Sequence, residues 1–204
     1  MAMLRSGRAG GRGVASRVHA FDLRVDTMVE RFRNPRLDPV FYGLSSAADH
    51  GLLWLFVGAT RAARAGDPGI ALRLGAALGV ESALTNGPIK ACFRRVRPTD
   101  DHPPEGPLPY GMHRPISSSF PSGHAASAFA FAYAVGRHLP GLAVPIRLLA
   151  GGVAYSRVHT GVHYPGDVVI GSIVGAGTAA TVAAGCDRIY RLQDRTASVR
   201  NRQP

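Results

Sequence analysis

Lysine is almost missing from this 204-residue chain: of its 24 basic residues only Lys90 is lysine, and the rest are arginine. An ammonium is a compact point charge and a guanidinium a broad fork, so one lysine in an arginine-using sequence marks a position that calls for the smaller cation. Cysteine is scarce too. Cys92 and Cys186 form neither a framework nor a CxxC pair, which excludes a disulfide scaffold and a zinc site. Acidic residues number 13 against the 24 basic ones. That excess suits nucleic acid, anionic lipid or a phosphorylated substrate. Nucleic acid drops out, because no binding motif or aromatic interleaving accompanies the charge. The first 20 residues hold no apolar run long enough for a signal-peptide core, and no internal repeat is evident.

What the sequence does hold is a series of apolar stretches behind a basic arm. Residues 1–19 carry Arg5, Arg8, Arg12 and Arg17 among Gly, Ala and Ser, and read as an unstructured arm. From residue 20 to 33, Phe21, Val25, Met28, Val29 and Phe32 recur at helical spacing between charges, which predicts an amphipathic helix broken by Asn34 to Pro39. Five apolar segments follow, at 45–62, 69–89, 123–138, 141–156 and 164–186. Several approach the roughly 20 residues a bilayer requires. Their Ala and Gly content allows close helix packing in lipid. The fold class is therefore all-α, a transmembrane bundle of about five to six helices, with a short-helix soluble bundle as the other reading. The bundle domain spans 20–187, and 188–204 is a basic polar tail. Arg73 and Glu81 are costly facing lipid and are expected to face the bundle.

Three polar clusters punctuate the apolar segments. The first, "KACFRRVRP", places Lys90 and Arg97 seven residues apart, close to two helical turns, so that both would project from one face. The second, "PSGH", sets Ser122 as an N-cap ahead of Gly123 and His124, and a helix N-terminus is a ready anion site. The third, "SRVHTGVHYPGD", contains Arg157, His163 and Asp167. A carboxylate four residues past an imidazole can take its N–H and raise its basicity. Arg94 and Arg95 read as solvated cations, with a second phosphate or lipid headgroups as the alternative, and His159 as a neighbour of His163. If the last four apolar segments alternate across one layer, all three clusters fall on one face.

Lys-six residues-Arg-Pro, then Pro-Ser-Gly-His, then Ser-Arg-five residues-His-three residues-Asp resembles the tripartite signature of the type 2 phosphatidic acid phosphatase superfamily, over about residues 80–185. The resemblance implies a metal-independent phosphatase with no cofactor. In it Lys90, Arg97, Arg157, Ser122 and Gly123 bind the phosphoryl group. His163 attacks phosphorus to give a phosphohistidine, Asp167 orients His163, and His124 protonates the leaving oxygen. The expected substrate is a lipid phosphate or diphosphate: phosphatidic acid, phosphatidylglycerol phosphate, or a polyprenyl phosphate or diphosphate. A soluble acid phosphatase of small esters and a non-catalytic membrane protein are the other readings.

The expected partners are that substrate and membrane lipids, with no nucleic acid, and nothing in the sequence speaks to oligomeric state. Arg61, Arg64, Arg137 and the tail arginines fall on the face opposite the clusters, which places the site on the extracytoplasmic side of a multi-pass protein. Five crossings would nevertheless leave the eight arginines of the first 36 residues outside. Either residues 20–44 add a crossing or reentrant piece, or the 45–62 segment does not fully span.

Overall fold

Glycine and proline set the helix boundaries. Gly66, at φ 63°, closes α3 (Leu52–Ala65) in the left-handed conformation that costs glycine nothing. Asp67 then caps α4 (Pro68–Leu84) by accepting the Gly69 amide at 2.8 Å, with Pro68 in the first turn where no N–H is needed. In this computed structural model, which describes residues 9–101 and 117–200, the chain continues through α5 (Pro98–Asp101), α6 (Gly123–His138), α7 (Ala143–His159) and α8 (Pro165–Arg200). Ahead of α3 lie α1 (Ala9–Phe32) and α2 (Asp38–Ala47). Among the described residues there is no strand.

Several boundaries differ from the sequence expectation. The arm expected to be unstructured is helical from Ala9, and residues 1–8 lie outside the described residues. The apolar stretch 45–62 is two pieces. A 3-10 turn at Asp49–Gly51 interrupts it, with His50 at φ 55° and Gly51 at φ 72°, so α3 begins only at Leu52. α8 runs through residues 187 and 188 to Arg200, while 201–204 lie outside the described residues. Most of the Pro-rich loop after Arg97, residues 102–116, also lies outside them.

α6 is the central helix. Its alanines at 125, 126, 128, 130, 132 and 134 are buried together with Phe131 and Val135. Phe131 meets Trp54 of α3 with ring centroids 5.2 Å apart, and Leu74 and Leu78 of α4, Ile146 and Val153 of α7 and Ala179 of α8 complete the core. Glu81 is buried inside this bundle, where Ser127 Oγ donates to its Oε2 at 2.6 Å, as the cost of a lipid-facing carboxylate requires. Arg73 is half-buried, its guanidinium 6.0 Å from the Tyr190 ring centroid.

The closest helix contact is between α6 and α8. A Cβ added at Gly171 would run into the Ser122 carbonyl, and one added at Gly175 into the Ala126 carbonyl. Only glycine permits that approach, the small-xxx-small arrangement of tightly crossed helices. The Ser122 amide also donates to the Asp167 carbonyl at 3.0 Å, tying the start of α6 to the start of α8.

Pro165–Leu192 is, among the described residues, the one helix long and apolar enough to cross a bilayer alone. The outward faces of other helices are nonetheless apolar: Phe56 on α3, Leu72 on α4, Val144 and Leu148 on α7, and Ile173 on α8 are exposed. The packing at α6–α8 yields a test. Gly175→Ala forces the two helices apart and is expected to cost about 1–3 kcal/mol or more. Gly177→Ala, where an added Cβ meets nothing within 4 Å, should be tolerated. Detergent melting of both variants checks this, and equal melting would show that the contact is not limiting.

Candidate active site

All three sequence clusters lie at one end of the bundle, at the C-terminal ends of α4 and α7 and the N-terminal ends of α6 and α8. They surround a cavity of about 820 Å³ whose lining includes Lys90, Arg97, Gly123, His124, Arg157 and His163. Among the described residues three cations there face one carboxylate, Asp49.

Lys90 reaches the cavity by a different route from the one its spacing to Arg97 implied. The helix does not continue across the pair. Beyond α4 the backbone widens into a π turn, Thr85–Ile89, where Gly87 leaves helical geometry and Pro88 lacks an N–H. Lys90 Nζ donates to Asn86 Oδ1 at 3.0 Å, and the helix ends at Cys92. Arg97 therefore arrives on a non-helical segment rather than on a shared helix face. It is nearly fully buried and held by carbonyls, with Nη1 donating to Val162 O at 2.8 Å and Nε to Ser117 O at 3.2 Å.

Arg97 Nη1 also lies 3.3 Å from His163 Nε2. A guanidinium only donates, so Nε2 carries the lone pair and the ring proton sits on Nδ1. His163 Nδ1 lies 3.6 Å from Asp167 Oδ2, an ion-pair distance too long for a formed hydrogen bond. Burial, reinforced by Arg157 and Arg97 and opposed by Asp167, pushes the His163 imidazole down to about 3. The ring is therefore neutral, with its lone pair available at Nε2.

Asp167 is fully buried, and Tyr164 N donates to its Oδ2 at 3.0 Å. Arg157 is buried at the end of α7. One guanidinium nitrogen contacts Ser45 Oγ of α2, and its Nε has no hydrogen-bond partner among the described residues. An orphaned buried donor at a cavity wall is a place for an anion.

Ser122 caps α6 by accepting the Ala125 amide at 3.5 Å. It is fully buried and is not part of the cavity lining, so the hydroxyl expected at the phosphate stands behind the cavity wall. His124, one residue into α6, has Nε2 2.6 Å from Asp49 Oδ1. That contact holds the Asp49 carboxyl below the usual carboxylate range. His159 faces away from the cavity, with Nε2 2.8 Å from Asp38 Oδ1, which Arg33 also contacts. It remains a neighbour.

Sequence reasoning missed Asp49, Ser45 and Asp22, and it misplaced Arg95. Arg95 is not a solvated cation: it bonds Asp167 and Asp22, both fully buried. No local pattern announces these partners, which lie more than 70 residues from the groups they contact. Arg94 is exposed, as expected.

The family model for the PAP2 superfamily matches residues 70–189, the stretch that contains all three clusters. The chain belongs to the PAP2 superfamily and is a phosphoric ester hydrolase of its lipid phosphatase branch. It is 36% identical over 143 residues to a decaprenylphosphoryl-5-phosphoribose phosphatase of Mycobacterium tuberculosis, covering 69% of this chain and 75% of that protein. It is 33% identical over 123 residues to a lipid A 1-phosphatase of Rhizobium johnstonii, covering 55% of this chain and 48% of that protein. Among solved structures it resembles the transmembrane PAP2-type phosphatidylglycerolphosphate phosphatase of Bacillus subtilis. The TM-score is 0.65 and the identity 26%, over 84% of this chain and 87% of that one.

Proposed function

We propose that this enzyme removes the terminal phosphate from a lipid-linked phosphomonoester through a phosphohistidine on His163. The observation that carries the reading is the cavity itself: among the described residues three cations, the start of α6 and one carboxylate line it together with His163, whose Nε2 lies 3.3 Å from Arg97 Nη1. Lys90, Arg97, Arg157 and the Gly123 amide take the non-bridging oxygens, where charge develops in the transition state. His163 Nε2 attacks phosphorus in line, a P–N bond forms and the bond to the leaving oxygen breaks. Asp167 stabilises the imidazolium at Nδ1. His124, held at Nε2 by Asp49, gives a proton from its imidazolium form to the leaving oxygen. In the second half His124 takes a proton from water as that water attacks phosphorus, releasing inorganic phosphate. Side chains supply the positive charge, so turnover should persist in excess chelator.

The lipid reading rests on the relatives and on the cavity's shape. Away from the cations its walls are Leu55, Gly75, Leu78 and Gly79, a path for an apolar chain between α3 and α4. Between that path and Lys90 stand Ser82, Asn86 and Ser127, which offer hydrogen bonds to a hydroxylated headgroup. A lipid-linked sugar phosphate, the substrate type named for the mycobacterial relative, fits this order of apolar, polar and cationic wall best. The exposed residues Phe56, Leu72, Leu148 and Ile173 would meet lipid, with the bundle crossing several times and the cavity at one face. Arg61, Arg64 and Arg137 lie at the opposite end, which favours an extracytoplasmic cavity.

Activity on a lipid-linked sugar 5-phosphate, phosphatidylglycerol phosphate, phosphatidic acid and p-nitrophenyl phosphate tests the substrate class. kcat/KM should be highest for the lipid-linked sugar phosphate, and a preference for water-soluble esters would refute the lipid reading. In the same panel His124→Ala should lose about 10²–10⁴-fold on lipid alkoxide leaving groups. It should lose far less on p-nitrophenolate, which needs no proton to depart, and equal losses would remove His124 from the acid role. Orientation is tested by the native thiols. Cys92 is exposed two residues from Lys90, whereas Cys186 neighbours Asp187, the partner of Arg137 at the far end. In a Cys186→Ser variant a membrane-impermeant maleimide should label Cys92 in intact cells. Labelling only after permeabilisation would put the cavity on the cytoplasmic side.

A further inference from the structure

Arg95 lies inside the first cluster but at no position of the tripartite signature, yet it touches the carboxylate behind His163. Its fork divides between two acids: Nη1 donates to Asp167 Oδ1 and Nη2 to Asp22 Oδ2, each at 2.6 Å. The guanidinium lies 4.2 Å from the centroid of the Tyr164 ring. Asp22 comes from α1, and its second oxygen accepts the Gly166 amide at 2.7 Å in the first turn of α8. A Cβ at Gly166 would come within 2.9 Å of that carboxylate, so the approach depends on glycine.

We propose that Asp22 and Arg95 are positioning residues for the His163–Asp167 pair, a role that rests on His163 being the nucleophile. Geometrically, the planar fork holds Asp167 by Oδ1 and leaves Oδ2 facing Tyr164 N and His163 Nδ1. A lysine cannot impose that plane. Electrostatically, a lone arginine 2.6 Å from Asp167 would compete with the developing imidazolium for the carboxylate's charge. Asp22 balances that arginine. The Asp22–Arg95–Asp167 set keeps one net negative charge, available to His163 when its ring becomes cationic. α1 is thereby part of the catalytic apparatus, although Asp22 lies 144 residues from Gly166 in the sequence.

The experiment uses the full-length enzyme in detergent with its best lipid phosphate. Asp22→Asn keeps the size and one acceptor but removes the charge. It should lower kcat by about 10–100-fold, the usual cost of losing a partner that orients an active-site ligand. KM should stay within about twofold, because substrate binding is untouched. Arg95→Lys, which keeps the charge and loses the fork, should show the same split. The role acts through Asp167, so in an Asp167→Asn background Asp22→Asn should cost less than about twofold more. An unchanged kcat in Asp22→Asn, or the same loss in both backgrounds, would overturn the proposal. His163→Ala, assayed alongside, keeps the two claims apart: turnover surviving there defeats the nucleophile assignment, while the comparison in the Asp167→Asn background reads the positioning role.

Discussion

The close crossing of α6 and α8 is the constraint on which the site depends. Gly171 and Gly175 let the α8 backbone lie against the carbonyls of Ser122 and Ala126, and the Ser122 amide bonds the Asp167 carbonyl. One contact thus sets the distance between the helix start that carries His124 and the helix start that carries Asp167. His163, four residues before Asp167, is carried with it. Any side chain at the crossing would change the geometry of both histidines at once, although neither lies at the contact.

Around that crossing the chain gathers positive charge. Among the described residues Lys90, Arg97 and Arg157 line the cavity with Asp49 as the carboxylate opposite, and the Arg157 Nε has no hydrogen-bond partner. Such an arrangement is costly in an empty protein and is relieved by a dianionic ligand. Away from the cavity, two sets of charges are matched by ion pairs. Arg95 is matched by Asp22 and Asp167, and Arg33 and His159 by Asp38. The single lysine, Lys90, lines the cavity.

The motifs and the all-helical class were legible because they rest on local spacing, and the convergence of the clusters followed from alternating helix direction. What was not legible depends on long-range contact. Arg95 looked like a solvated cation because its two partners are 72 and 73 residues away. Asp49, 75 residues from His124, gave no local sign of its role. The shared helix face drawn through Lys90 and Arg97 failed for a reason present in the sequence. Asn86-Gly87-Pro88 is a breaker signal, and the chain does leave the helix there. The arm's composition of Gly, Ala and Arg suggested no structure, yet it is helical from Ala9, continuous with the amphipathic stretch that carries Asp22.

The central claim is that the phosphoryl group passes through His163. Its most direct measurement is rapid quench of the enzyme turning over a lipid substrate labelled in the terminal phosphate, followed by peptide mapping under alkaline conditions that preserve phosphohistidine. Label is expected on the peptide containing His163, absent from His163→Ala and still formed by His124→Ala with a good leaving group. Label on His124, or label persisting in His163→Ala, would contradict it.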